Sequence, residues 1–253
     1  MAQYIYGRNA VRSLVSHPST VNELYVFEAY RNDPFTEFAS KQWYKPIFVS
    51  KQQLTKLTGN DKHQGFVAKA EEYKTYTLNE LINTASKPYP LLIILDGLED
   101  PHNLGAIMRS ADAVNADGII YAKNRSVALS PTVAKVSTGA IDTVKVAEVT
   151  NLATTIETLK KQGYWIVCAT DSNAQDYRSV DYLCPIALII GSEGFGVSRL
   201  LKEKSDFRVG LPMYGQVNSL NASVAAGILM YQITSQRFPL QKETNYGKGR
   251  DSR

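Results

Sequence analysis

The chain has 253 residues, 44% of them hydrophobic and 21% charged, with a formal net charge of +4. That length supports one large domain or two modest ones, and the composition is that of a soluble globular protein, not a disordered or fibrous one. The small positive excess permits an anionic partner without demanding one. The longest apolar stretches, such as residues 91–95 and 186–190, are too short to span a bilayer. The first residues show no basic segment followed by an apolar one, so no secretory signal is expected.

Residues 1–75 read as a small α/β unit. Apolar β-like runs at 24–27, 46–49 and 65–70 alternate with helix-like segments at 10–15, 34–43 and 51–57. Residues 58–65 form a polar, glycine-bounded loop ahead of the last strand. A short helix is expected over 78–84, and Pro88 with Pro90 stiffens the chain just beyond it. The sequence therefore places a linker over 76–90, ahead of a second domain of residues 91–240. Residues 241–253 mix charges with Gly247 and Gly249 and read as a flexible tail.

From residue 91 the pattern is a regular alternation. Strands are expected at 91–96, 118–121, 143–147, 164–169, 186–190 and 207–211, and helices at 103–115, 131–136, 152–161 and 219–236. Strands that are apolar throughout and alternate with helices form a parallel sheet covered on both faces. Ligands of such sheets bind outside the carboxyl ends of the strands, which directs attention to the segments after Asp96, Ala169, Ile190 and Leu211. Cys168 and Cys184 read as small buried hydrophobes of a reducing compartment. His17, His63 and His102 show no metal-ligand spacing, so no metal is expected.

Three of these segments carry unusual chemistry. In the first, Leu104, Ile107, Met108, Ala111 and Val114 make an apolar stripe at helical spacing. Arg109 lies about 140° around from Leu104, at about 100° per residue, and so is available to a cleft. Asn103 stands where a helix cap is expected. In the second, glycines at 191, 194 and 196 come after a buried strand and allow backbone to approach a ligand closely. Their order matches neither a dinucleotide fingerprint nor a P-loop, and the carboxylate of Glu193 opposes a phosphate cradle. In the third, Asn218, Ser219 and Asn221 open a helix at its positive end. The small residues Ala222, Ser223, Ala225, Ala226 and Gly227 then admit another helix or a cofactor. Taken singly, each segment has a plainer reading: a cap with a surface arginine, a tight turn, close internal packing.

In order, D-G-x-x-D-P-x-N-x-G-x-x-x-R from Asp96, I-G-x-E-G from Ile190 and L-P-M…S-L-N-x-S-x-A from Leu211 resemble the three motifs of the SpoU (TrmH) class of RNA 2′-O-methyltransferases. Residues 133–140 and 149–153 resemble more narrowly the bacterial enzymes that methylate a guanosine ribose in 23S ribosomal RNA. The resemblance implies an α/β parallel-sheet methyltransferase domain with a deep trefoil knot, an exception to the no-knot rule. It also implies a pocket for S-adenosyl-L-methionine, a homodimer packed through the helix after the third motif, and a cytoplasmic location. Residues 5–11 and the loop at His63 resemble the small N-terminal α/β RNA-binding domain of this subgroup.

By the resemblance Arg109 is placed at the 2′-hydroxyl. An arginine is poorly suited to accept a proton. Either an RNA phosphate takes it, or Arg109 chiefly stabilises developing alkoxide charge, and the second is the favoured reading. Asn103 and Glu193 would orient Arg109 and the ribose, and Ser219 and Asn221 would complete the catalytic pocket. Backbone at Gly191, Leu211, Met213 and Leu220 would bracket the adenosine, with Thr170 at the rim. Lys56, Lys62, His63 and Lys69, with Tyr73 and Tyr76, suit RNA phosphates and bases, although each lysine is equally a solvated surface group. One rival, a nucleotide-dependent oxidoreductase, needs a glycine fingerprint after the first strand, which is missing. Another, an RNA-binding factor without catalysis, conflicts with intact polar residues in all three motifs. Transfer RNA in place of ribosomal RNA stays open.

Overall fold

The computed structural model describes residues 3–15, 21–42, 44–70, 73–85, 87–124 and 126–238. The expected tail at 241–253, and Trp43 at the end of the expected second helix, lie outside the described residues. The chain divides into two units. One takes the described residues up to Lys74 together with Leu129–Ile141, and the other those of Thr75–Ala128 and from Asp142 onward.

The first unit runs β1 (Gln3–Tyr6), α1 (Arg8–Val15), β2 (Val21–Phe27), α2 (Pro34–Lys41), β3 (Ile47–Val49), α3 (Lys51–Thr58) and β4 (Phe66–Ala70). Its sheet has the order β1-β4-β2-β3. Local chemistry sets the helix bounds. Asp33 caps α2 with Pro34 in the first turn, and Ser50 with Gln53 forms a capping box for α3, which Gly59 ends in the left-handed conformation. Val11, Leu14 and Val15 of α1 pack with Leu24, Val26, Phe35 and Phe66 to form the core. Gly65 is obligatory: its φ is +80°, and a Cβ would lie 2.4 Å from the Tyr30 ring.

The second unit contains α4 (Leu78–Asn83), β5 (Leu91–Asp96), α5 (Pro101–Ala113) and β6 (Gly118–Ala122). Then come α6 (Pro131–Ser137), which belongs to the first unit and packs on α1, and α7 (Ala140–Thr143). The second unit resumes with β7 (Val146–Val149), α8 (Leu152–Lys161), β8 (Trp165–Ala169) and β9 (Gln175–Asp176). It ends with β10 (Ile186–Gly191), α9 (Arg199–Lys204), β11 (Phe207–Gly210) and α10 (Ala222–Arg237). Its sheet is parallel throughout, in the order β7-β6-β5-β10-β8-β11-β9. The chain leaves β8 for the edge at β9, returns to lay β10 between β5 and β8, and comes back to place β11 between β8 and β9.

Several bounds differ from the sequence reading, each for a local reason. Helix α5 opens at Pro101, because Asp100 is the cap and accepts from the His102 N–H at 2.9 Å. Asn103 is therefore not the cap. Helix α10 opens at Ala222, after the cap Asn221, so Ser219 precedes the helix. The run expected from 143 begins as a strand only at Val146, after the helical turn of α7. Residues from 76 on, read as linker, lie in the second unit. There Tyr76 donates its N–H to the Val146 carbonyl at 2.8 Å, and Leu81 is buried with Leu92, Ile94, Ile120 and Ile156.

The far end of α10 is fastened by hydrogen bonds to backbone carbonyls. The Arg237 guanidinium donates to the carbonyls of Tyr89 at 2.8 Å, Cys184 at 2.8 Å and Tyr182 at 3.1 Å, and burial lowers its pKa. Gln236 donates to the Val180 carbonyl and accepts from the Tyr182 N–H, both at 3.0 Å. Fixing this end of the helix fixes its opening turn at the other, where the third motif lies. Among the described residues, no helix is long and apolar enough to cross a membrane, and no cluster of His, Cys, Asp or Glu could hold a metal ion.

Candidate active site

The three motifs meet at the carboxyl end of the sheet through one set of side-chain bonds. Asn103, on the first turn of α5, is only 5% exposed. Its Nδ2 donates to Glu193 Oε1 at 2.9 Å, and its Oδ1 accepts from Asn221 Nδ2 at 2.9 Å. Asn221 Nδ2 also donates to Glu193 Oε1, which closes the triangle. The other end of the Asn221 amide caps α10, accepting from the N–H groups of Ser223 at 2.9 Å and Val224 at 3.3 Å. One side chain thus starts the helix and orients Glu193. Glu193 has two amide donors and, among the described residues, no ion pair.

Beside this triangle lies a cavity of about 350 Å³, lined by the segments after β8, β10 and β11 and by the opening of α10. Thr170, Gly191, Glu193, Leu211, Met213, Ser219 and Leu220 all line it, so seven of the expected residues share one wall system. Gly191 needs to be glycine, because a Cβ there would lie 2.1 Å from the Gly196 backbone. The turn is tied back to β5 by Asp96, whose carboxylate accepts from the Ser198 N–H at 2.7 Å. Thr170 is held at the rim by its N–H to the Val209 carbonyl at 2.9 Å.

Arg109 stands apart. It is exposed on α5, does not line the cavity, and has no hydrogen-bond or ion-pair partner among the described residues. Within one chain, Asn103 and Glu193 therefore orient each other and Asn221, and not Arg109 as expected. In the first unit, Lys56 and Lys62 are exposed, but Lys69 pairs with Glu23 at 2.6 Å. His63 is 1% exposed: its Nδ1 accepts from the Gly65 N–H at 3.0 Å and its Nε2 meets Thr55 Oγ1 at 3.3 Å. Burial pushes its pKa down, and the ring braces the loop from within. Tyr73 and Tyr76 are partly buried.

Among the lining or anchoring residues that escaped the sequence reading are Asp96, Asp171, Ser192, Phe195 and Lys202. Asp96 opens the first motif and was visible as a pattern, though not as an anchor. Asp171 directly succeeds the flagged Thr170. Lys202 sits on α9, a six-residue helix too short to show periodicity.

Comparisons with known proteins agree with this geometry. The model of the SpoU rRNA Methylase family matches residues 90–231, and that of the RNA 2′-O ribose methyltransferase substrate binding family matches residues 4–76. A protein of Bacillus subtilis named for the TrmH family of tRNA/rRNA methyltransferases is 45% identical over 242 residues, covering 94% of this chain and 97% of that one. A similarly named protein of Staphylococcus saprophyticus is 45% identical over 237 residues, covering 92% and 95%. The crystal structure of the SpoU methyltransferase AviRb from Streptomyces viridochromogenes, in complex with the cofactor AdoMet, shares the fold. Its TM-score is 0.65 at 24% identity, covering 95% of this chain and 92% of that one. With its sheet order, its cavity and its three joined motifs, the chain belongs to the SpoU methylase family of RNA methyltransferases.

Proposed function

We propose that this chain uses S-adenosyl-L-methionine to methylate the 2′-hydroxyl of a guanosine ribose in 23S ribosomal RNA, acting as a cytoplasmic homodimer. The Asn103–Glu193–Asn221 triangle at the mouth of the cavity carries the reading. The cavity fits the cofactor. Its volume of about 350 Å³ falls in the range of about 300–1,000 Å³ usual for small-molecule sites. Val197, Val209 and Leu229 offer an apolar bed for an adenine, and the bare wall at Gly191 admits it closely. Two carboxylates, Asp171 and Glu193, suit a ligand that carries a sulfonium charge. When bound, the cofactor supplies a methyl group already attached to a good leaving group.

The protein then has to align the ribose and manage one proton. Glu193, held by two amides, and Ser219 orient the hydroxyl. Arg109 stabilises negative charge on the oxygen as its proton leaves to solvent or an RNA phosphate. Since Arg109 does not reach the cavity within one chain, the reading needs the second copy. An exposed apolar stripe on α10, Val224, Ile228 and Tyr231, supports such an interface, and α10 packs on α5, which bears Arg109. The placing of β10 and β11 inside strands already laid down supports a chain threaded as a trefoil knot. Transfer RNA is the second reading, favoured by the relatives' joint tRNA/rRNA naming.

Arg109→Ala tests the assignment. Transfer of labelled methyl to RNA should fall by about 100-fold or more, the scale seen when one charge-stabilising donor is removed. Cofactor affinity by calorimetry should stay nearly unchanged. Normal turnover by this variant would remove Arg109 from catalysis.

A further inference from the structure

Two aromatic rings on the loops around the cavity have almost nothing against them. Phe195 is 96% exposed and Tyr214 is 89% exposed. Phe195 and Met213, the neighbour of Tyr214, both line the cavity. The turn beneath Phe195 is itself held in one shape. The turn that carries Phe195 is closed by the Gly196 N–H to the Ser192 carbonyl at 2.9 Å and the Ser192 N–H to the Gly196 carbonyl at 3.3 Å. The Phe195 N–H adds a bond to Ser192 Oγ at 3.4 Å, and Gly196 holds φ at +63°. Tyr214 stands near Arg178, which pairs with Asp176 through Nε at 2.9 Å and Nη2 at 2.6 Å.

A fixed turn that holds a phenyl ring in water adds nothing to the folded core and leaves most of the ring free for a larger ligand. The family's acceptor is RNA, and a nucleobase offers an apolar face of matching size. The base also hangs from the sugar carbon next to the one that bears the reacting hydroxyl, so it must lie within a few bonds of the reacting oxygen. Phe195 is two residues from Glu193, which faces that ribose in the proposed reaction. We propose that Phe195 stacks on the base of the nucleotide being methylated and that Tyr214 supports an adjacent base. Both position the substrate without selecting which base it carries, because every base has a π-face. The inference rests on the reading of the chain as an RNA 2′-O-methyltransferase.

The test compares the wild type with Phe195→Ala, Tyr214→Ala and Phe195→Trp, using total RNA from cells lacking the gene as the methyl acceptor. Phe195→Ala should lower kcat/KM for RNA by about 5- to 150-fold, Tyr214→Ala should lower it less, and Phe195→Trp should retain activity. Cofactor affinity and oligomeric mass should not change. The added emission of Phe195→Trp should be quenched by the same RNA. Unchanged RNA kinetics in Phe195→Ala would overturn the proposal. A matching loss of cofactor affinity would also overturn it, making the ring a cofactor cover, and a change in mass would make it a subunit contact. If the wild type methylates no RNA, the functional reading fails, and the quenching measurement still decides whether Phe195 meets a base.

Discussion

A buried amide that both donates and accepts holds its neighbours in one arrangement, and Asn103 does so for Glu193 and Asn221. Asn103→Ala would remove two hydrogen bonds and leave Glu193 and Asn221 joined only to each other, at about 1–3 kcal/mol for the two bonds. Denaturant unfolding should show that loss, and methyl transfer should fall further than stability alone explains. Asn103→Asp should be worse for transfer at neutral pH, since it sets a second carboxylate against Glu193. The residue was legible in the sequence, but its role was not. Asp100 and Asn103 are both good caps three residues apart, and Pro101, suited to the first helical position, assigns the cap to Asp100. That frees Asn103 to face inward. Ser219 and the other cavity-lining residues were legible because the strand ends direct attention to their segments and the motif resemblance picks them out. Phe195 was not, since nothing in a string of residues tells an exposed ring from a buried one.

Elements were legible in proportion to their length. Long apolar strands such as β5 and β10 and the helices α8 and α10 declare themselves by periodicity. The two residues of β9 and the six of α9 do not, and β1 pairs over only four. Helix α4 is the instructive case. Its sequence position and the nearby prolines suggest a linker, yet its Leu81 side chain is fully buried and reaches the floor beneath Gly118. Leu81→Ala should therefore cost about 2–5 kcal/mol, as for a core position. Chemical denaturation measures this directly. A loss near zero would return α4 to the role of a tether.

At the scale of the whole molecule, apolar strands alternating with helices specify a parallel sheet but not the order of its strands. Nothing in the residues of β10 says that it lies between β5 and β8, because all three strands are equally apolar. Only the resemblance of the motifs to a known class supplied the expectation of a threaded chain. Assembly follows similar reasoning. Val224, Ile228 and Tyr231 recur along one exposed side of α10 while Ala226, Leu229, Met230 and Ile233 fill the other. Ile228→Asp should break the proposed dimer, shifting the mass by light scattering to that of a monomer, and abolish methyl transfer. A variant that stayed dimeric and active would place the interface elsewhere.

The central claim is that this protein methylates a ribose 2′-hydroxyl of ribosomal RNA. Ribose-methylation mapping of total RNA, with and without the gene, tests it most directly. One guanosine mark in the 23S RNA should vanish on deletion and return when the wild-type gene, but not Arg109→Ala, is restored. Loss of a transfer-RNA mark instead would contradict the substrate, and an unchanged map would contradict the claim itself.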